Sequence, residues 1–437
     1  MRDVLLTLIF AGLVPFALAR PYIGACLWAW ISIMNPHTLT YGFARGLPWA
    51  QLAAGVTLFA LVFNGRRRYA LPWSAGTAFL LALMVWVTVT SAFSINASTD
   101  VWDRWTFFMK ILVMLLVSLT LIRGRQQIET LLWVIVVSVG IYGVKGGVWT
   151  LLTGGGGRVW GPPGGMMADN NSIAIGLVIV LPWMYYLRLV SKKRLVRHGL
   201  AWSMLFSVFA ILGTQSRGAL LALLVMGLML GLKSKNAVRA TLGIAVIAIA
   251  AIAFMPDSWS ERMSTIGGYN ADTSALSRLW TWQTLWNLAL DRPLVGGGFR
   301  SDSVQVFSVY SPVQGRGDFD SVVYVAHSIY FQALGEHGFP GLLLFLAIGV
   351  WTWFTAGRLG RESMKRPDYE PWVPLLMRMC QVSLAGFAVG GAFLSLMVFD
   401  LSFYIFGIVL LVKASMKPTS DSSLARAARA MQPSHRA

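Results

Sequence analysis

Charge is scarce in this chain. Only 12% of its 437 residues are Asp, Glu, Lys or Arg, about half of what a soluble domain carries. So little polar surface does not cover a water-soluble globule of this length. Acid is scarcer than base, with 18 Asp and Glu against 36 Lys and Arg and a net charge of +18. In a soluble protein that excess suggests nucleic acid. Here most basic residues sit in short loops between apolar runs, the pattern that orients membrane helices, and no nucleic-acid partner is expected. Cysteine is limited to Cys26 and Cys380, both in apolar stretches, which excludes a disulfide framework and a cysteine-based zinc site. Gly154 to Gly157 lack a following Gly-Lys-Ser/Thr, which excludes a phosphate-binding P-loop. An internal repeat is also lacking, which argues against a transporter built from repeated halves.

What the chain has in abundance is apolar sequence, 56% of all residues, with a mean hydropathy of +0.63. Apolar runs fall at about 4–19, 21–36, 47–63, 73–93, 107–122, 128–151, 172–190, 200–214, 219–232, 237–255, 339–358, 373–399 and 402–416. Several approach the ~20 residues that a spanning helix needs. The expected fold class is all-α, a polytopic membrane protein with about twelve transmembrane helices. The first run lacks a small-residue cleavage site and reads as a retained anchor.

Loop charge supplies an orientation. The loops with Arg66 to Arg68, Arg123 and Arg125, Lys192 to Arg197, Lys233 to Arg239 and Arg358 to Arg366, together with the tail, hold the lysines and belong in the cytoplasm. The alternate loops hold Arg104, Arg158, Arg217, Arg262, Arg278, Arg292, Arg300 and Arg316 but no Lys, and belong outside. Both termini are then cytoplasmic if runs one and two share one crossing broken at Arg20-Pro21; if both cross, the N-terminus is outside. The expected organisation is transmembrane helices over 1–255, a periplasmic loop domain over 256–326, C-terminal transmembrane helices over 327–416 and a disordered cytoplasmic tail over 417–437. Within the long loop, Ser277 to Leu290 reads as an amphipathic helix bearing Trp280, Trp282 and Trp286. It is stopped by Pro293 and the glycines 296–298.

Candidate chemistry gathers on the external side. His327 stands just before an apolar helix, and histidine is the side chain best suited to take a proton near neutral pH; the plainer reading is an interfacial histidine. His337 follows ten residues on, as a supporting or solvated residue or part of a substrate cavity. Arg217 and Arg278 are external arginines whose planar forks suit phosphate oxygens, or which anchor lipid headgroups. Lys145 and Lys110 lie inside apolar runs, where a charge is costly; Lys145, near an external end, is a candidate to meet an anion. Arg158, with Asp169 and Asn171 before run seven, completes the possible cavity, although Asp169 to Asn171 also suit a helix N-cap. Asp318-Phe319-Asp320 has the form of a metal-binding Asp-x-Asp. In an external loop, away from nucleotide sugars, no metal or other cofactor is expected there.

At these residues the sequence resembles the bacterial O-antigen ligase family. His327, Ser328, Gly338 and Gly341 match its pattern of His, a small polar residue, nine residues, Gly, two residues and Gly. Ser216-Arg217-Gly218 opening an apolar helix, and Arg278 before a Trp-rich helix and Pro293 to Phe299, are also similar. Met34-Asn35-Pro36-His37 resembles a subgroup of O-glycosylation ligases associated with exosortase systems. The resemblance implies metal-independent glycosyl transfer at the periplasmic face of the inner membrane. The donor would be a glycan on undecaprenyl diphosphate and the acceptor a hydroxyl of lipid A–core. His327 would be the base, and Arg217 and Arg278 would hold the diphosphate. An O-antigen polymerase or a protein O-oligosaccharyltransferase would share the donor.

Overall fold

Runs of Leu, Val, Ile, Ala and Met without interrupting charge satisfy their backbone internally as helices, the arrangement a bilayer demands. A computed structural model describes residues 1–63, 70–96, 99–232, 253, 255–256, 273–312, 323–366 and 370–416. Helix makes up 78% of it, and no strand occurs among the described residues. The helices are α1 (Arg2–Ala19), α2 (Pro21–Met34), α3 (Trp49–Phe63), α4 (Ala75–Ala92), α5 (Thr99–Leu121), α6 (Gly124–Leu152), α7 (Asn170–Val190), α8 (Arg194–Gly213), α9 (Arg217–Leu232), α10 (Thr273–Asp291), α11 (Val304–Tyr310), α12 (Ile329–Ser363), α13 (Trp372–Gly391) and α14 (Asp400–Met416). Eight of them are long and apolar enough to cross a membrane, and α2, α3 and α9 are shorter apolar helices. The protein is a multi-pass membrane protein. The expected run at 237–255, apart from residues 253 and 255, and the tail from 417 lie outside the described residues, as do Arg66 to Arg68, Lys233 to Arg239, Trp259, Arg262, Arg316 and the Asp318–Asp320 pair.

α7 is the central helix: 78% of its apolar window is buried, against 17% for the peripheral α1. Small residues let its neighbours close in. On α6, a Cβ built at Gly147 would lie 2.1 Å from the Phe206 carbonyl oxygen of α8.

Successive helices alternate in direction, so the bundle has two ends. At the upper end, Tyr142 of α6 donates to Met34 O (2.7 Å) and Asn170 of α7 donates to Thr214 O (2.8 Å). At the lower end, the start of α6 meets the segment before α13 through Arg125 and Glu370 (3.4 Å).

The first two runs do not share a crossing. Arg2 at the start of α1 donates to Leu39 O (3.2 Å), and Asp3 accepts from the Gly42 and Ala44 amides (2.9 and 3.0 Å). The start of α1 therefore lies beside the end of α2, and the two form an antiparallel hairpin turning at Arg20. This differs from the expected single crossing broken at Arg20-Pro21. α1 begins at the upper end, while α14 starts there, with Ser32 donating to Asp400 (3.4 Å), and ends at the lower.

α12 is two helices joined at a break. Gly338 has φ 66° and ψ −172°, and Pro340 has no N–H to offer Glu336 O four residues back. The segment 293–298 supplies what the break leaves open. The amides of Gly297 and Gly298 donate to Gly335 O (2.8 Å) and Glu336 O (2.9 Å), and Phe339 N–H donates to Pro293 O (2.9 Å). Only glycine allows this approach: a Cβ at Gly338 would lie 2.3 Å from Leu294 O, and one at Gly298 2.4 Å from Ser94 Cβ.

Candidate active site

His327 sits at the upper end, in the extended segment that leads into α12. It adopts φ 43°, a left-handed conformation rarely taken by a residue with a side chain. Its amide donates to Ser395 Oγ (2.8 Å) in the turn between α13 and α14. The imidazole is half-buried. Burial lowers its pKa, the Arg278 guanidinium lowers it further, and Asp169 raises it. Both partners are therefore close enough to act on it electrostatically, although they come from segments more than a hundred residues apart.

Local sequence explains why these groups arrive. α10 lays its aromatic face on the first half of α12. Trp282 stacks on Phe331 (5.0 Å between ring centroids, 7° between planes), and its Nε1 donates to Ala326 O (2.8 Å). Arg278 is one turn earlier on the same helix face, which carries it to His327. α11 supports α10: Asn287 donates to Tyr310 O (3.0 Å) and Tyr310 OH to Asp291 (2.6 Å). Asp169 caps α7, accepting from the Asn171 and Ser172 amides (2.9 and 3.0 Å), so its negative charge lies at a helix N-terminus.

Arg217 is the first residue of α9, after a corner with Gln215 at φ 57°. Two contacts tie that corner to the site. Asn170, beside Asp169, holds Thr214 O, and Gly218 lies against Phe393, two residues before Ser395. Thus His327, Arg217, Arg278, Asp169 and Asn171 share the upper end. The N-cap reading of Asp169 also holds.

Two expected residues, Lys145 and His337, do not join them; Arg158 lies at the same end, where Val159 N–H donates to Gly213 O (2.9 Å). Lys145 is exposed on a stripe of α6 with Ile141, Val148 and Trp149, facing away from the bundle. His337 is 0% exposed. It lies at the α12 break with its Nδ1 2.7 Å from Thr90 Oγ1, its carbonyl accepting from Trp86 Nε1 (2.9 Å) and its ring edge-on to Phe299. It packs the helix break and is not solvated. Arg158 stacks over Trp160 (5.8 Å) in the Gly-rich loop. Lys110, likewise, is exposed on α5.

Two cavities adjoin the site. A small one of about 30 Å³ is lined by Ala326, Ser395, Gln332, Glu336 and Asp302. Sequence reasoning passed over Gln332 and Glu336. The available signal was an amide and a carboxylate one helical turn apart at the head of a membrane helix. The second is an apolar groove of about 310 Å³ between α12, α13 and α14, whose lining includes Ile329, Tyr330, Gly349, Phe354, Phe387 and Ser402. Ile329 and Tyr330 put its wall two residues from His327.

His327 thus shares one end of the bundle with Arg278 and Arg217, and the wall of an apolar groove begins two residues away at Ile329. Residues 202–346, which contain Arg217, Arg278, His327, Gly338 and Gly341, match a family model. That family model is described as O-antigen ligase. Residues 1–192 match a family of unknown function (DUF5935). No curated protein matches the chain. The O-antigen ligase match, with the apolar helices, supports a multi-pass membrane protein of the ligase/polymerase glycosyltransferase type.

Proposed function

We propose that the protein transfers an O-antigen glycan from undecaprenyl diphosphate to a hydroxyl of lipid A–core. The reaction takes place at the periplasmic face of the inner membrane. The observation that carries this reading is a half-buried His327 acted on by both Arg278 and Asp169, with Arg217 at a helix start of the same end. The acceptor oxygen attacks the anomeric carbon, and its proton passes to the imidazole of His327. The bond from that carbon to the diphosphate oxygen breaks, and its electron pair leaves on the diphosphate. Arg217 and Arg278 meet the developing charge with fixed donors, a task that needs no metal. Direct displacement inverts the anomeric centre. The lysine-bearing lower end then faces the cytoplasm, and the region 256–326 is the periplasmic loop domain.

The groove beside Ile329 and Tyr330 supports a lipid-linked donor, since an isoprenoid chain there leaves its diphosphate next to His327. A Cβ at Gly349 has nothing within 4 Å, so Gly349→Leu fills the groove without disturbing the backbone. It should raise KM for a long-chain donor and leave KM for a short-prenyl donor unchanged; equal effects on both would remove the groove from donor binding.

Reconstitution of the purified protein with an undecaprenyl-diphosphate glycan and a panel of acceptors tests the whole reading. Transfer to lipid A–core with inverted configuration, undiminished by chelator, is expected. Exclusive extension of the lipid-linked chain, transfer only to Ser or Thr of a protein, or a retained configuration would each overturn part of it. Loss in chelator restored by a divalent ion would return attention to Asp318 and Asp320.

A further inference from the structure

His327 holds a conformation that its own backbone disfavours, so something outside the 323–328 segment must fix it. Its amide is bound by Ser395 Oγ at 2.8 Å. Ser395 belongs to the non-helical turn 392–399. Its first three amides bond back to α13 (Val389, Gly390 and Gly391 O, 3.2–3.3 Å), and its later backbone bonds are Leu396 N–H to Leu394 O (3.0 Å) and Phe399 N–H to Leu396 O (3.1 Å), leaving the Ser395 and Met397 amides without a backbone acceptor among these. What anchors that turn is Gln332: its Oε1 accepts the Met397 amide at 3.1 Å. Gln332 is oriented in turn by Glu336, whose two carboxylate oxygens lie 3.4 and 3.3 Å from Gln332 Nε2. With its nitrogen facing the Glu336 carboxylate, the Gln332 amide turns its oxygen toward Met397.

Glu336 is itself held. It is buried, at 6% exposure. Arg104 of α5, and Arg300 and Asp302 of the loop after α10, lie within electrostatic reach of it. Its backbone carbonyl is bound by Gly298. Gln332, Glu336, Ser395 and Asp302 close around the 30 Å³ cavity, so the polar groups of this chain of contacts face one another. His327 lies five residues before Gln332 and nine before Glu336, ahead of the first turn of α12.

We propose that Glu336 and Gln332 are positioning residues, which set the placement of His327 through Met397 and Ser395. The role of His327 as base rests on the function proposed above; the relay that places it does not.

Two readouts separate the claims. The first is steady-state transfer by the purified full-length protein in lipid nanodiscs. Glu336→Leu and Gln332→Leu should lower kcat by about tenfold to a hundredfold, the cost of a roughly ångström-scale misplacement, with KM for the lipid-linked donor changed by less than about twofold. Glu336→Gln keeps an acceptor for Gln332 and should restore most of the rate. Ser395→Ala acts at the far end of the same chain. Combined with Gln332→Leu it should cost far less than the sum of the two, because one connection is cut twice. The second readout needs no turnover: the rate at which diethyl pyrocarbonate modifies His327, read by mass spectrometry of its peptide. It should change by severalfold in Glu336→Leu and Ser395→Ala and return to the wild-type rate in Glu336→Gln. Wild-type kcat and wild-type His327 reactivity in both Glu336→Leu and Gln332→Leu would overturn the proposal, as would full additivity of Ser395→Ala with Gln332→Leu. If His327→Ala retains transfer while the modification rates shift as described, the proposed base is wrong and the relay stands.

Discussion

An imidazole that must accept a proton has to be neutral beforehand, and at His327 two neighbours pull in opposite directions. Burial and Arg278 lower its pKa, and Asp169 raises it. With a depressed pKa the neutral form persists to lower pH, and activity is lost as pH falls through that pKa. Removing Arg278 in Arg278→Gln should therefore move the acidic limb of kcat/KM upward in pH. Asp169→Asn should move it downward, whatever either change does to the maximal rate. His327→Ala should abolish transfer at unchanged membrane expression. Arg217→Lys should lose about a hundredfold or more in kcat, the cost of removing a fixed donor from developing charge, because a point charge does not replace the fork. That His327, Arg217 and Arg278 lie at one end of the bundle was legible, because all three fall at the ends of apolar or amphipathic runs on the same side. Lys145 and His337 were misplaced because their side depends on rotation about a helix axis. For Lys145 that rotation was readable: Ile141, Lys145, Val148 and Trp149 recur at helical spacing and mark one outward stripe. For His337 it was not, since the break at Gly338 resets the helix.

Elements meet here through complementary defects. The Pro293–Gly298 segment has free amides and α12 has free carbonyls at its break, and each repairs the other. Gly338→Ala and Gly298→Ala should both lower thermal stability in detergent. An alanine held at such a positive φ costs roughly 1–3 kcal/mol, and a Cβ forced into its neighbours adds roughly 1–3 kcal/mol. An unchanged melting temperature in both would show that the break tolerates side chains. The Trp-rich helix, its stop at Pro293 and the glycine triplet were each legible as local signals. Their docking on residues 335–339 was not, because backbone hydrogen bonding between distant segments leaves no periodic trace. Gln332 and Glu336 escaped for a related reason: their partner, Met397 N–H, is a backbone group whose identity no sequence pattern records.

At the scale of the whole molecule, charge parity suggested a broken first crossing, and hydrogen bonds of Arg2 and Asp3 show a hairpin. Loop charges read alternation well, but Arg20, a single residue at the turn, was too weak a signal to mark a second lower-end loop. The native cysteines are both buried, so single added cysteines report topology directly. Tyr41→Cys, at a position 82% exposed at the upper end, should react with a membrane-impermeant maleimide from the periplasmic side. Leu195→Cys, at a position 84% exposed at the start of α8, should react only after the inner membrane is opened. The reverse pattern would invert the assigned faces. The interruption of α12 also bears on how the protein meets bilayers of different thickness. Long membrane helices tilt to match the hydrocarbon around them, and a continuous rod would swing its head as its foot tilted. Below Gly338 the helix packs along α4 and α13, with Trp351 against Gly76 and Gln381 Nε2 donating to Trp353 O (3.0 Å); at the break, residues 335–339 are bound to the 293–298 loop. A break held by that loop uncouples the two halves of α12, so transfer rates are expected to vary little across vesicles of increasing acyl-chain length.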